Sequence, residues 1–481
     1  MARLVYAHDL SIADRLVLKN LENDITRFGS EKDADASDAE SSSDTNGSST
    51  SSQVLDPESS GAVKCREAGY AKADRPSSIG TYVPCVNITP FWTATDHAAE
   101  NERDIAVMKA MSDPKSDEFE PTVFVSMDLR DLKLRFPRLD KYVLQPYIRW
   151  ATPLARRPTD VVFVTHLLLY LVTSLPSAIY LFRNFTYLHG VLHWAMSFYF
   201  MGTYTLMMHQ HIHQRGILNP KLALLDNLFP YLTDPLLGHT WNTYFYHHVK
   251  HHHIEGNGPN DLSSTLRFQR DSPWHFAYYV VRFMLLVWLE LPLYFVSKAR
   301  YGMALRCLFF EVGNYLAYVL LAVFVNWRAT LFAFVLPLTL MRIGLMVGNW
   351  GQHALVDRDQ PDSDFRSSIT LIDVPSNRYC FNDGYHTSHH LNPLRHWRDH
   401  PQAFLRQKHT YAKEGALVFH DIDYLMITLR LLMKDYEHLA RCLVPIGDQI
   451  AMTMEEKVAM LKSHTRRFTE EEIREKFAKT P

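Results

Sequence analysis

Histidine is the residue to begin with. The chain has 25 among 481 residues, most of them after Met208 and gathered in short, spaced clusters. The first is His209-Gln-His211-Ile-His213, the second His247-His248-Val-Lys-His251-His252-His253, and the third His386-Thr-Ser-His389-His390; His353 stands apart in Asn349-Trp-Gly-Gln-His353. On a helix, residues i, i+3 and i+4 share a face. His386, His389 and His390 can therefore aim at one point, as can His248, His251 and His252, while His209 and His213 form an i, i+4 pair. Converging neutral imidazoles suit a transition metal, and iron, zinc and copper all accept nitrogen. Eight or nine are too many for one tetrahedral ion, so two metals sharing the cluster is the simpler account. Nitrogen ligation without thiolate points to oxygen chemistry rather than structural zinc. Five scattered cysteines (Cys65, Cys85, Cys307, Cys380, Cys442) hold no CxxC pair and suggest neither a thiolate site nor a disulfide framework.

Such a cluster needs a scaffold, and the apolar residues are bunched where it would stand. Val161 to Phe182 is an uncharged run flanked by Arg156, Arg157 and Arg183, long enough to span a bilayer as a helix, and Phe185 to Met208 follows it directly into the first cluster. Leu308 to Val325 and Ala329 to Val347 are separated only by Asn326-Trp327-Arg328, which predicts a helical hairpin. Each of the two carries one ionisable residue, Glu311 or Arg342, expected to face the protein interior. Phe276 to Val296 carries Arg282, Glu290 and Pro292 and is the weakest of the runs.

The ends differ in kind. Residues 12 to 27 read as a charged amphipathic helix, and Gly29 to Gly61 is acidic and serine-rich, too poor in apolar surface to offset ordering entropy. That tract is expected to be a disordered, solvated linker. Capping boxes at Thr453 with Glu456 and Thr469 with Glu472 predict short helices in the C-terminal tail. Fifty Lys+Arg against 52 Asp+Glu give a net charge of −2, so no basic field exists to hold nucleic acid. The remaining histidines have blander readings: His275, His396, His400, His409 and His420 are expected to be surface or capping residues. His189 and His193 form another HxxxH, but His189 lies about 30 Å from His209 along one helix and is read as interfacial packing.

At the clusters the sequence resembles the membrane histidine-box diiron family, which includes fatty acyl desaturases and the alkane and fatty acid hydroxylases. The resemblance covers roughly residues 155 to 410, where the family's three boxes are matched in order and after the expected spans. It implies two ferrous ions, dioxygen, electrons from a separate carrier such as cytochrome b5 and its reductase, and a fatty acyl substrate held in the bilayer. The implied metal ligands are His209, His213, His247, His248, His251, His252, His353, His386, His389 and His390, the second box fitting as His248/251/252, His247/251/252 or His248/252/253. Asn349 to His353 and the Asn-Pro after His390 are more like the alkane hydroxylase branch, with Gln352 in place of that branch's glutamate. Asp261, Asn382 and Asp383 are candidate partners of the ligands.

The expected architecture is all-α and polytopic, with about four spanning helices, one interfacial helix at Phe276 to Val296, a cytosolic histidine-box cap and a disordered N-terminal segment. Residues 1–150 form a cytosolic N-terminal region, 155–410 the diiron domain and 411–481 a cytosolic tail. The protein is expected to be a multi-pass protein of the endoplasmic reticulum with both termini in the cytosol. The expected function is acyl-chain desaturation, with hydroxylation as the alternative; a histidine-rich metal transporter and a membrane zinc hydrolase account less well for ligands so numerous and so placed.

Overall fold

The computed structural model of the chain describes residues 4, 6, 10–41, 94–372 and 374–478. Residues 1–28 and 100–481 form one compact unit, which holds every histidine cluster, and residues 29–99 form another. Helix α1 (Ile12–Ser41) runs into the start of the acidic serine-rich tract; residues 42–61 of that tract lie outside the described residues.

Helices carry almost the whole first unit. The apolar run from Val161 is one 23-residue stretch, Val161–Arg183, divided at Thr173 into α2 (Val161–Val172) and α3 (Ser174–Arg183). Helix α4 (Tyr187–Gln214) then runs 28 residues without a break and ends in the first histidine cluster. Arg215, in the left-handed region at φ 57°, terminates it.

Among the described residues, three stretches are long and apolar enough to cross a membrane: Val161–Arg183, Pro273–Ser297 and Tyr301–His353. This departs from expectation at two places. Helix α4, read as a span over Phe185 to Met208, is not among them, because His189, His193, Ser197, Thr203 and Thr205 lower its mean hydropathy. Helix α5 (Pro273–Ser297), the weakest run, does qualify. Its two charges pair with each other, Arg282 Nε donating to Glu290 Oε1 at 3.1 Å, so neither is left uncompensated.

Tyr301–His353 is not one rod. Asn326 leaves helical geometry (φ −159°, ψ 105°), and its side chain accepts from the backbone N–H groups of Arg328 and Ala329, starting a new helix. Two contacts straddle this turn symmetrically: Tyr318 stacks on Phe334 with ring centroids 5.1 Å apart, and Arg342 Nη2 donates to Glu311 Oε2 at 2.7 Å. The predicted hairpin therefore forms, from α6 (Tyr301–Leu321) to α7 (Leu336–His353). Both charged residues of that pair are buried, and Thr240 and Tyr315 also donate to Glu311. Leu305, Phe309, Val312, Leu316 and Val319 stand exposed on the outer face of α6, the arrangement of a helix that meets lipid.

The cap over the helices is held by long-range pairing. Strand β1 (Ile369–Ile372) pairs in parallel with β2 (Leu417–His420), Ile369 opposite Leu417, so the chain beyond residue 411 is packed beside the third histidine cluster. Arg270, fully buried, donates to the carbonyls of Ala354, His464 and Arg466, joining the second cluster's loop to the C-terminal segment. The predicted capping boxes are present at Thr453/Glu456 and Thr469/Glu472.

Candidate metal centre

Five elements deliver the histidines. Helix α4 brings His209 and His213 on one face, and α7 ends on His353. A short helix, α8 (His386–Leu391), carries His386, His389 and His390. The second cluster lies on a π-helical turn, Phe245–His252, followed by the α-helical His253–Glu255. The wider i→i+5 turn places residues four and five apart on one face, and such turns recur at functional sites. It therefore puts His248, His252 and His253 on one face.

The result is two groups, in each of which one potential ligand atom per residue lies within 4.8 Å of all the others. One holds His209, His213, His248, His253 and His389; the other holds His252, His353, His386 and His390. Nε2 atoms approach closely within each: His209 to His248 at 2.8 Å and to His389 at 3.1 Å, His253 to His389 at 2.8 Å, His386 to His353 at 3.0 Å and to His390 at 3.1 Å. For metal–nitrogen bonds of about 2.1 Å, neighbouring ligands of an octahedral ion stand about 3 Å apart. The spacing thus fits an ion held between the rings. The groups adjoin, with the His253 and His390 ring centroids 5.1 Å apart.

Of the ten histidines expected to ligate, the structure brings eight into these groups and leaves out His247 and His251. His251 Nε2 instead accepts from the backbone N–H of Leu262 at 3.2 Å, and the His247 ring meets Phe283 edge to face, with centroids 5.2 Å apart. His253, absent from that set, takes their place. The spacing 248/252/253 was visible, but an α-helical face favours 248/251/252, and the sequence carries no sign of the π turn. The blander residues also sort themselves. His189 Nε2 and His193 Nδ1 both meet Ser177 Oγ at 2.9 Å, away from the groups. His396 and His400 are buried rather than at the surface, bonded to Asp160 and Ser388, and His420 is buried as well.

Electrostatics keep these rings in the form a metal would need. Burial first, and then repulsion among neighbouring rings, holds His248, His253, His386, His389 and His390 well below the ordinary histidine range. At neutral pH their imidazoles carry free lone pairs. Outside the ligand atoms, His252 Nδ1 lies 2.7 Å from Asp261 Oδ2, and His353 Nδ1 lies 2.8 Å from the Ser367 carbonyl. Although its burial acts the other way, its contacts with the neighbouring rings, His252 first, hold the Asp261 carboxyl well below the usual range. Of the other candidate partners, Asn382 donates to the Trp397 carbonyl and Asp383 accepts from Gln352; neither bonds a grouped histidine.

A cavity of about 520 Å³ borders both groups. Its walls include Phe198, Met201 and Leu206 of α4 and Leu340, Ile343 and Leu345 of α7, and it reaches His209 and His248 of one group and His252 and His386 of the other. Gly344 and Gly348 add no bulk to it, since a Cβ at either would meet nothing within 4 Å. An apolar slot that opens onto reactive ligands is the usual form of a small-molecule site.

The model of the fatty acid desaturase family matches residues 185–421, a segment that encloses all nine grouped histidines. No curated protein and no solved structure matches the chain.

Proposed function

Starting from a chain that belongs, over residues 185–421, to the fatty acid desaturase family, we propose that it desaturates a fatty acyl chain with dioxygen at two histidine-held iron ions. The observation that carries this reading is the pair of buried histidine groups bordering one apolar cavity. His209, His213, His248, His253 and His389 would hold one ion, and His252, His353, His386 and His390 the other. Bound iron supplies the activation of dioxygen and the removal of hydrogen from an unactivated methylene, chemistry beyond side chains alone. The residues do the rest. Asp261 and the Ser367 carbonyl fix the tautomer and direction of His252 and His353. The walls from α4 and α7 exclude water and set which carbon faces the ligands. Electrons come from a separate carrier such as cytochrome b5 with its reductase.

Expression in a host without desaturases, with mass spectrometry of its lipids and metal analysis of the purified protein, tests this. A new double bond and about two irons per chain are expected. A hydroxyl group in place of the double bond would move the chain to the hydroxylase branch, and one zinc with no oxidation would make it a hydrolase.

The same reading fixes topology. Ligands on both sides of the interval 253–353 share one aqueous side, so that interval crosses the bilayer an even number of times. Helix α5 meets the cap at both ends: Tyr279 donates to the Ser263 carbonyl at 3.1 Å and Tyr294 to Glu255 at 2.7 Å. Those contacts support α5 lying along the interface while the α6–α7 hairpin makes the two crossings. Two further crossings, by Val161–Arg183 and by the 28-residue α4, whose polar residues His193, Ser197, Thr203 and Thr205 are buried in the protein, precede His209. Both termini then lie on the histidine side, in the cytosol by the balance of Arg156, Arg157 and Arg215 against Arg183 and Arg328. The endoplasmic reticulum is the membrane this reading assigns. Glycosylation reporters inserted at 300 to 303 and at 327 check it, and only the second should be modified.

A further inference from the structure

The segment that leads into α8 is strained. Phe381 and Asn382 are consecutive non-glycine residues in the left-handed region, at φ 53° and 58°, a conformation that persists only where its surroundings over-determine it. Asn377 supplies part of the restraint. It accepts from the backbone N–H of Gly384 at 2.8 Å and donates to the Leu371 carbonyl at 3.0 Å. Gly384 is needed there because a Cβ would come within 2.1 Å of Asn377 Oδ1.

The remaining restraint comes from the far end of the chain. Asp14, on the first turn of α1, is 1% exposed. It accepts from the Tyr385 hydroxyl at 2.7 Å and lies 3.5 Å from Asn377 Nδ2. Arg378 donates to the Leu10 carbonyl at 3.0 Å, and Val17, Leu18 and Leu21 pack with Ile372, Tyr385, Phe404 and Val418. Burial pushes the Asp14 carboxyl up to about 6. A carboxylate kept buried at such a cost is one whose contacts specify a structure.

What it specifies stands one residue further on. Within the four-histidine group, His252 and His353 are oriented through Nδ1, whereas the buried Nδ1 of His386 has no hydrogen-bond partner. The direction of that ring is set by where α8 begins, and Tyr385 is the residue that fixes it. We infer that Asp14 is a positioning residue for the four-histidine group, acting through Tyr385 and Asn377 to set the start of α8 and hence the aim of His386.

The inference rests on His386 as an iron ligand, and the test separates the two claims. Full-length Asp14→Ala, Asp14→Asn, Tyr385→Phe and the Asp14→Ala/Tyr385→Phe double variant are purified beside the parent and a His386→Ala control. Iron content and hydrogen exchange of residues 377–391 are measured on each. Asp14→Ala and Tyr385→Phe should each lose about half the bound iron and exchange faster over 377–391. The double variant should be no worse than either single one, and Asp14→Asn, which still accepts from Tyr385, should keep most of the metal. Tyr385→Phe removes one oxygen and leaves the packing intact, so it serves even where Asp14→Ala fails to accumulate. Full iron content and unchanged exchange in Asp14→Ala and Tyr385→Phe would overturn the inference. A parent that binds no iron would instead defeat the metal reading, and the exchange data alone would then decide whether Asp14 holds the segment.

Discussion

The two histidine groups solve the same problem by different means. In the four-histidine group the rings of His252 and His353 are held from behind, by a buried carboxylate and a backbone carbonyl. In the five-histidine group, none of the Nδ1 atoms of His209, His213, His248, His253 or His389 has a hydrogen-bond partner among the described residues. That group relies on number and on rigid spacing: two histidines one turn apart on the 28-residue α4, His248 from the π turn, His253 directly after it and one from α8. The contrast teaches that a ligand shell can be fixed either by outer hydrogen bonds or by the stiffness of the elements that bear it. Each device fails differently, and the experiments that separate them follow from that.

The largest effect is expected where the π turn chooses its face. His253→Ala takes a ligand from the five-histidine group and should abolish oxidation and lower bound iron. His251→Ala removes contacts to Leu262, Asn260, Asp261 and Tyr294, none of them a grouped histidine, and should keep both irons, with activity reduced several-fold at most. Iron content and turnover on membranes decide it; equal damage from the two would mean that the turn relaxes to an α-helix when metal binds.

Next comes the device peculiar to the four-histidine group. Removing an outer partner of a metal ligand typically costs about 10- to 100-fold in metal affinity or activity. Asp261→Ala should therefore weaken one of the two irons by that order and leave the other. Chelator titrations resolving two classes of iron are the measurement. A single class weakened uniformly would show that the groups are not independent.

These two contrasts also mark where the sequence could be read and where it could not. The clusters were legible because ligand chemistry depends on residue type, and the α6–α7 hairpin because Asn326 interrupts two apolar runs. The choice of His253 over His251 was not legible. It depends on one turn of π-helix, whose cost is local and whose reason is the position of the elements that bear the other six grouped histidines. Equally hidden were the Ser367 carbonyl, which has no side-chain signature, and the Asp14–Tyr385 contact, which spans 371 residues of sequence.

A smaller effect concerns the metal-free protein. Histidines have unfolded values of about 6.5, and His248, His253, His386, His389 and His390, together with His400 at about 3, are held lower by burial. Below about pH 6.5 the unfolded chain binds protons that the folded one refuses, so stability falls as pH drops and is flat above. Each such histidine contributes roughly 1.4 kcal/mol per pH unit within its window. Thermal melts of iron-free protein at pH 7.5 and 5.5 should show the loss, and replacing one histidine in each group by Gln should shrink it. A melting temperature unchanged between the two values would mean that water reaches the groups.

The smallest effect belongs to the histidines that imitate a box. His189 and His193 have the HxxxH spacing of the first cluster and share its helix, yet His193 lies sixteen residues before His209, about 24 Å along α4. Their partner is Ser177 on α3, whose single hydroxyl meets both rings at 2.9 Å, so it donates to one and accepts from the other. The contact joins two helices and touches no group. Ser177→Ala should cost about 1 kcal/mol for each hydrogen bond lost, and His189→Ala or His193→Ala should leave iron content unchanged and turnover close to the parent's. Because His193 is buried, its replacement also leaves a small cavity, and its stability loss should exceed that of His189→Ala. Melting temperature and iron content measured together decide the matter. Iron lost from either variant at unchanged melting temperature would place these rings in the metal chemistry after all, and the separation between helix packing and ligand shell along α4 would have to be given up.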